Sequence, residues 1–75
     1  MRPELLVSRV FGLHAGRVSD DTCNADVHGW DSLAHVALVL EMESTYAVEL
    51  SVEEALEMTS VRAIKRILTG RGVRW

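Results

Sequence analysis

Between Asp31 and Ala47 the chain carries SLAHVALVLEMESTY, a stretch with neither glycine nor proline whose apolar residues recur at helical spacing. At about 100° per residue, Leu38, Val39, Met42 and Tyr46 fall on one side and Leu33, Val36, Ala37 and Leu40 on another. One stripe is enough to hold a helix on a bundle. A helix apolar on two sides must either lie centrally or leave one side uncovered. The chain has only 75 residues, and a chain this short buries roughly 60% of the surface its unfolded form exposes. It has no material to surround a helix. The second stripe is therefore expected to stay at least partly exposed, beside Asp31, Glu41 and Glu43, as a docking surface. The alternative is that the following helix and the preceding loop cover it.

The rest of the chain reads as further helices. The one proline, Pro3, suits a first helical turn, and the spacing predicts a helix from Pro3 to about Leu13. Leu6, Val10 and Leu13 form its stripe, Val7 and Phe11 lie beside it, and Gly16 ends the region. A long connection from Gly16 to Asp31 follows, rich in turn and cap residues (Asp20, Asp21, Asn24, Asp26, Gly29), with Val18, Val27 and Trp30 able to pin it to the bundle. The second helix spans Ser32–Tyr46, with Asp31 or Ser32 as its N-cap. Ser51-Val52-Glu53-Glu54 is a capping box opening a short third helix that ends near Met58. Thr59 or Ser60 caps a fourth helix with the stripe Val61, Ile64, Ile67 and Leu68, ended by Gly70 and Gly72. The expected fold class is all-α: a four-helix bundle of three longer helices and a short third one, with a long loop between helices one and two. Residues 1–75 are expected to form a single domain, with a flexible tail at 71–75.

Charge and cysteine usage narrow the function. Ten acids and no Lys or Arg lie between Asp20 and Glu57, while the flanks hold all eight bases and one acid, Glu4. An anionic middle repels nucleic acid and acidic membranes and steers towards basic protein patches. Arg62, Lys65 and Arg66 are too few to reverse this. No apolar run approaches a membrane span, and Met1–Val10, interrupted by Arg9, does not read as a signal peptide. Cys23 is the single cysteine. It leaves no internal disulfide and points to a reducing, cytoplasmic setting. Cys23, His28 and His35 match no common zinc spacing, so no metal is expected. Ser32 and His35 lie one turn apart, but no nucleophile elbow surrounds them, so the pair reads as a serine and a surface or capping histidine rather than a catalytic unit.

Ser32 opens the longest helix in Gly29-Trp30-Asp31-Ser32-Leu33. At a helix N-terminus unsatisfied N–H groups and the positive dipole end favour an anion on the hydroxyl oxygen, such as a phosphate ester. The bland role for such a serine is an N-cap. Asp-Ser-Leu at the head of a long helix, after a loop ending in Gly-Trp, resembles the acyl carrier protein family. The likeness extends through Leu33, Val36, Leu38, Val39 and Met42, the Glu43–Leu50 stretch with Tyr46, Glu53-Glu54-Ala55, and Thr59-Ser60-Val61.

That resemblance implies an acyl-carrier-like bundle whose Ser32 receives phosphopantetheine from coenzyme A, donated by a separate phosphopantetheinyl transferase that uses magnesium. The thiol of the arm then holds acyl groups as thioesters, which the carrier, itself non-catalytic, shuttles between a loading enzyme and downstream synthase or transferase enzymes. Cargo could be shielded in a malleable core containing Met42 and Met58. Asp31, Leu33, Val36, Ala37, Leu40 and Glu41 are the expected enzyme contacts, on a monomeric, stand-alone carrier. Ala34 and Ala37 stand where fatty-acid members usually carry acids. This departure points to a specialised pathway of polyketide or nonribosomal type. An aminoacyl or peptidyl load from an adenylating ligase stays open, although Gly29-Trp30-Asp31 is closer to the acyl type. An unmodified helical interaction module is the rival class.

Overall fold

The computed structural model describes residues 1–75. Its elements are α1 (Pro3–Phe11), α2 (Ser32–Tyr46), α3 (Val52–Glu57) and α4 (Val61–Gly70), with no strands. The predicted all-α, four-helix architecture is what the chain adopts. Helix α1 packs against α2 and α4, and α3 packs against α4. Leu6 and Val7 of α1, Leu38 and Met42 of α2, Met58, and Val61, Ile64, Ile67 and Leu68 of α4 close one buried core. Each large side chain taken out of water there contributes about 1.5–3 kcal/mol.

Capping sets the boundaries. Helix α1 stops at Phe11, short of the predicted Leu13, because Gly12 takes the left-handed conformation at φ 65° and its N–H bonds to the Ser8 carbonyl. Gly16, expected to end the region, lies instead in a short 3-10 turn, Ala15–Arg17. The nearer glycine wins because it accepts positive φ without a Cβ penalty. Ser51 and Glu54 form the predicted capping box at α3. Of the two candidate caps of α4, Ser60 is the one used, its hydroxyl accepting from the Ala63 N–H at 3.1 Å.

The long connection is bound down along its length. Val18, Val27 and Trp30 are all buried, as their spacing suggested. The backbone of residues 20–24 runs along the start of α4. Asn24 N–H donates to the Thr59 carbonyl at 2.8 Å, Val61 N–H to Thr22 at 2.9 Å and Arg62 N–H to Asp20 at 3.0 Å. Side chains reinforce this seam. The half-buried Lys65 ammonium reaches Asp20 at 2.6 Å and Glu4 at 3.0 Å, and Arg62 reaches Asp21 at 2.7 Å. The hydrogen bond to Asp20 is the main reason the Lys65 pKa is raised. For Glu4, burial pushes the pKa up, but hydrogen bonds from its own backbone N–H, Lys65 and Arg2 outweigh it and leave the carboxyl lowered.

The segment 71–75, for which the sequence predicts a flexible tail, lies against the bundle. Val73 N–H donates to the Leu68 carbonyl at 2.9 Å, Val73 and Trp75 pack on the core, and the Arg71 guanidinium forks onto the Glu54 carboxylate, its Nε at 2.8 Å.

Two outcomes follow from these helix ends. Ala47 caps α2 in the left-handed region, at φ 51°, which costs an L-residue about 1–2 kcal/mol. Glycine escapes that strain but loses more chain entropy on folding. Ala47→Gly is therefore expected to stabilise the protein by about 0.5–1 kcal/mol, read as a higher urea midpoint at unchanged slope. The Arg71 hydrogen bond, helped by the Ser51 N–H, holds the Glu54 carboxyl at about 2 rather than its ordinary 4.5. A depressed folded-state pKa contributes stability that is whole above the unfolded value and is lost as the pH falls through the folded one. Glu54→Gln should thus be less stable than the parent at neutral pH, and the difference should shrink between about pH 4.5 and about pH 2. A gap that stays constant over that range in thermal melts would remove Glu54 from the acid response.

Candidate functional site

The sequence left the cap of α2 open between two residues, and the structure resolves it. Asp31 is the N-cap, with extended backbone, and its Oδ1 accepts from the Ala34 N–H at 2.8 Å. Such a cap contributes about 1 kcal/mol. Ser32 becomes the first residue inside the helix. It is exposed, and its hydroxyl makes no hydrogen bond within the chain, nor do the backbone N–H groups of Ser32 and Leu33. A serine at the head of α2 is thereby left with a free oxygen beside two free N–H donors and the positive end of a helix dipole.

Gly29 makes the turn into this corner at φ 101°, a conformation that suits a residue without Cβ. Trp30 then turns inward. It is buried, stacks on Phe11 with ring centroids 4.8 Å apart, and donates its indole N–H to His35 Nδ1 at 3.0 Å. The other ring nitrogen of His35, Nε2, meets the Ala55 carbonyl of α3 at 2.7 Å. His35 is thus not the surface or capping histidine expected from sequence. It joins loop, α2 and α3. Its ring completes a cleft of ≈ 490 Å³, open to solvent, whose walls are Asn24, Trp30, Asp31, Ser32, His35, Val36, Leu56 and Thr59. Asn24 and Thr59 were read from sequence as turn or cap residues, and none of Asn24, Leu56 and Thr59 was predicted at the site. They come from three different segments, and no local pattern brings them together. The one available signal was Leu56, an apolar residue four positions after Val52 in a helix too short to bury both.

The second stripe of α2 is uncovered. Leu33 is 81%, Val36 56% and Leu40 59% exposed, so neither α3 nor the loop shields them. The expected contact residues are all exposed at the head of α2 or along it, and most of them border one of two clefts. Asp31, Ser32 and Val36 face the cleft towards α3, whereas Ala37 and Glu41 line a shallower one of ≈ 330 Å³ towards Leu6, Arg9 and Val10 of α1. Leu33 and Leu40 stand outside both. The anionic block is also less free than its sequence implies, because Asp20, Asp21, Glu54 and Glu57 are paired to bases of α4 and the tail. No group of three His, Cys, Asp or Glu side chains gathers in a way that could hold a metal ion, and no helix is long and apolar enough to cross a membrane.

The corner at Ser32 fits a phosphodiester: an accessible unbonded hydroxyl, two free amide donors, and an adjoining open cleft. The model of one family, the phosphopantetheine attachment site, matches residues 5–68 of the 75. No curated protein matches the sequence closely enough to count as a relative. The chain belongs to the phosphopantetheine-attachment family, consistent with the acyl carrier proteins it resembles. It is a carrier protein bearing covalent phosphopantetheine, and domains of this kind interact with modifying and acyl-handling enzymes and are generally non-catalytic.

Proposed function

We propose that Ser32 is the attachment residue and that the chain shuttles thioester-bound acyl intermediates between the enzymes of a specialised biosynthetic pathway. The observation that carries this reading is the division of labour at the head of α2. Asp31 takes the capping hydrogen bond, so Ser32 has no structural duty and its hydroxyl is open to a partner. In the modification step Ser32 Oγ forms a new bond to the β-phosphorus of coenzyme A, 3′,5′-adenosine diphosphate leaves, and the hydroxyl proton passes to the transferase. The Ser32 and Leu33 N–H groups are free to donate to the phosphate oxygens. The attached group supplies the thiol that holds an acyl chain.

The chain's own contribution beyond attachment is recognition. Leu33, Val36 and Leu40 offer apolar contacts around the attachment point, and Asp31, Ala37 and Glu41 border them. Ala34 and Ala37, where acids are usual in fatty-acid carriers, leave this face more apolar than charged. That supports dedicated partners of a polyketide or nonribosomal type, met by a monomer in the cytoplasm.

Two measurements check this. Intact mass after incubation with coenzyme A, magnesium and a broad-specificity transferase should rise by one phosphopantetheine, and Ser32→Ala should show no gain. An unchanged parent mass would favour an unmodified interaction module. Leu40→Glu should slow loading by about tenfold or more while shifting stability by no more than about 0.5 kcal/mol, as surface substitutions usually do. A large fall in melting temperature with normal loading would place Leu40 in the core instead.

A further inference from the structure

A chain tethered at Ser32 has two places to go: the open cleft beside it, or the bundle interior between α2 and α3. The geometry points to the first. Helix α3 packs on α4, and the direct hydrogen bond between α2 and α3 is the one from His35 to the Ala55 carbonyl at 2.7 Å. Indole N–H can only donate, so His35 Nδ1 accepts from Trp30 and Nε2 carries the proton given to Ala55. Both ring nitrogens are used, in a ring that lies between the cleft and the core. The Ala55 carbonyl also takes the backbone N–H of the wholly buried Met58 at 3.3 Å. Parting α2 from α3 would take the Ala55 acceptor from the Nε2–H of a half-buried imidazole that Trp30 holds in place, and a donor left unsatisfied there opposes it.

Beneath this bridge the core is closed to solvent. Leu38, Met42, Met58, Ile64 and Leu68 are fully buried, and none of them lines the cleft at Ser32 or any of four others of ≈ 460, 360, 330 and 240 Å³. The cleft itself is bordered by polar groups of Asn24, Asp31, Ser32, His35 and Thr59, while Trp30, Val36 and Leu56 help give it a mostly apolar surface. Resting on the attachment at Ser32, we propose that His35 latches the α2–α3 seam, and that this carrier therefore presents its acyl groups in the open cleft instead of drawing a long alkyl chain into its core. This replaces the expectation of a core that shelters cargo around Met42 and Met58.

The test loads the full chain with acetyl- or octanoyl-phosphopantetheine from the corresponding acyl-coenzyme A and compares side-chain methyl NMR signals. Met42, Met58, Ile64 and Leu68 should give coincident signals in the two loaded forms, with octanoyl-dependent shifts confined to Val36, Leu56 and Thr59. Octanoyl-dependent shifts at Met42 or Met58 in the parent protein overturn the proposal. In His35→Ala those core shifts should appear, and His35→Gln, whose amide can accept from Trp30 and donate to Ala55, should abolish them again. A folded His35→Ala whose core ignores octanoyl removes the latch. If His35→Ala does not fold, the parent comparison still decides. Failure of the parent to gain mass at all is a different result: it removes the attachment reading, and this proposal with it.

Discussion

The hydrogen bond from the Ala34 N–H to Asp31 Oδ1 governs how the head of α2 is used. A helix start has several unsatisfied N–H groups and usually recruits the nearest Ser, Thr, Asp or Asn to cap them. Here two such residues stand side by side, and either could have served. Because Asp31 takes the role, Ser32 moves one position into the helix with its hydroxyl unengaged, still next to the uncapped amides of residues 32 and 33. Trp30 fixes the approach to this corner from below, stacked on Phe11 and bonded to His35. This corner is held by its neighbours and makes no demand on the serine itself.

Helix α2 meets two requirements with one sequence. Leu38 and Met42 anchor it to the core, while Leu33, Val36 and Leu40 stay in water. In a larger protein a second apolar stripe would be covered by another layer. This bundle has no such layer, because the six-residue α3 packs on α4 and reaches α2 through a side chain. The uncovered stripe is retained beside Ser32.

The charges follow a similar division. Four acids of the central block close ion pairs with α4 and with Arg71, binding the long loop, α3 and the C-terminal segment to the fourth helix. Asp31 and Glu41 are left outside those pairs, both exposed on or beside α2. What reads as one anionic surface along the chain separates in space into a structural seam and a thinner charged border around the uncovered side of α2.

Much of the fold was legible because its causes are local. Helical spacing, the capping box at Ser51 and Glu54, the apolar stripe of α4 and the pinning residues Val18, Val27 and Trp30 all act over a few positions, and the motif around Ser32 was carried by adjacent residues. The end of α1 was misplaced because two glycines competed for one job, and backbone conformation chose the nearer. The cleft walls, the pairing of the acids and the role of His35 were not legible, since each joins segments that only folding brings together: Asn24 with Thr59, Asp20 with Lys65, His35 with the carbonyl of Ala55 twenty residues away. Sequence determined that there would be four helices and a serine at the head of the longest. Tertiary structure decided which neighbour would cap, which acids would stay free, and that the space beside the serine would be an open cleft, because those outcomes depend on distances between groups the chain does not hold adjacent.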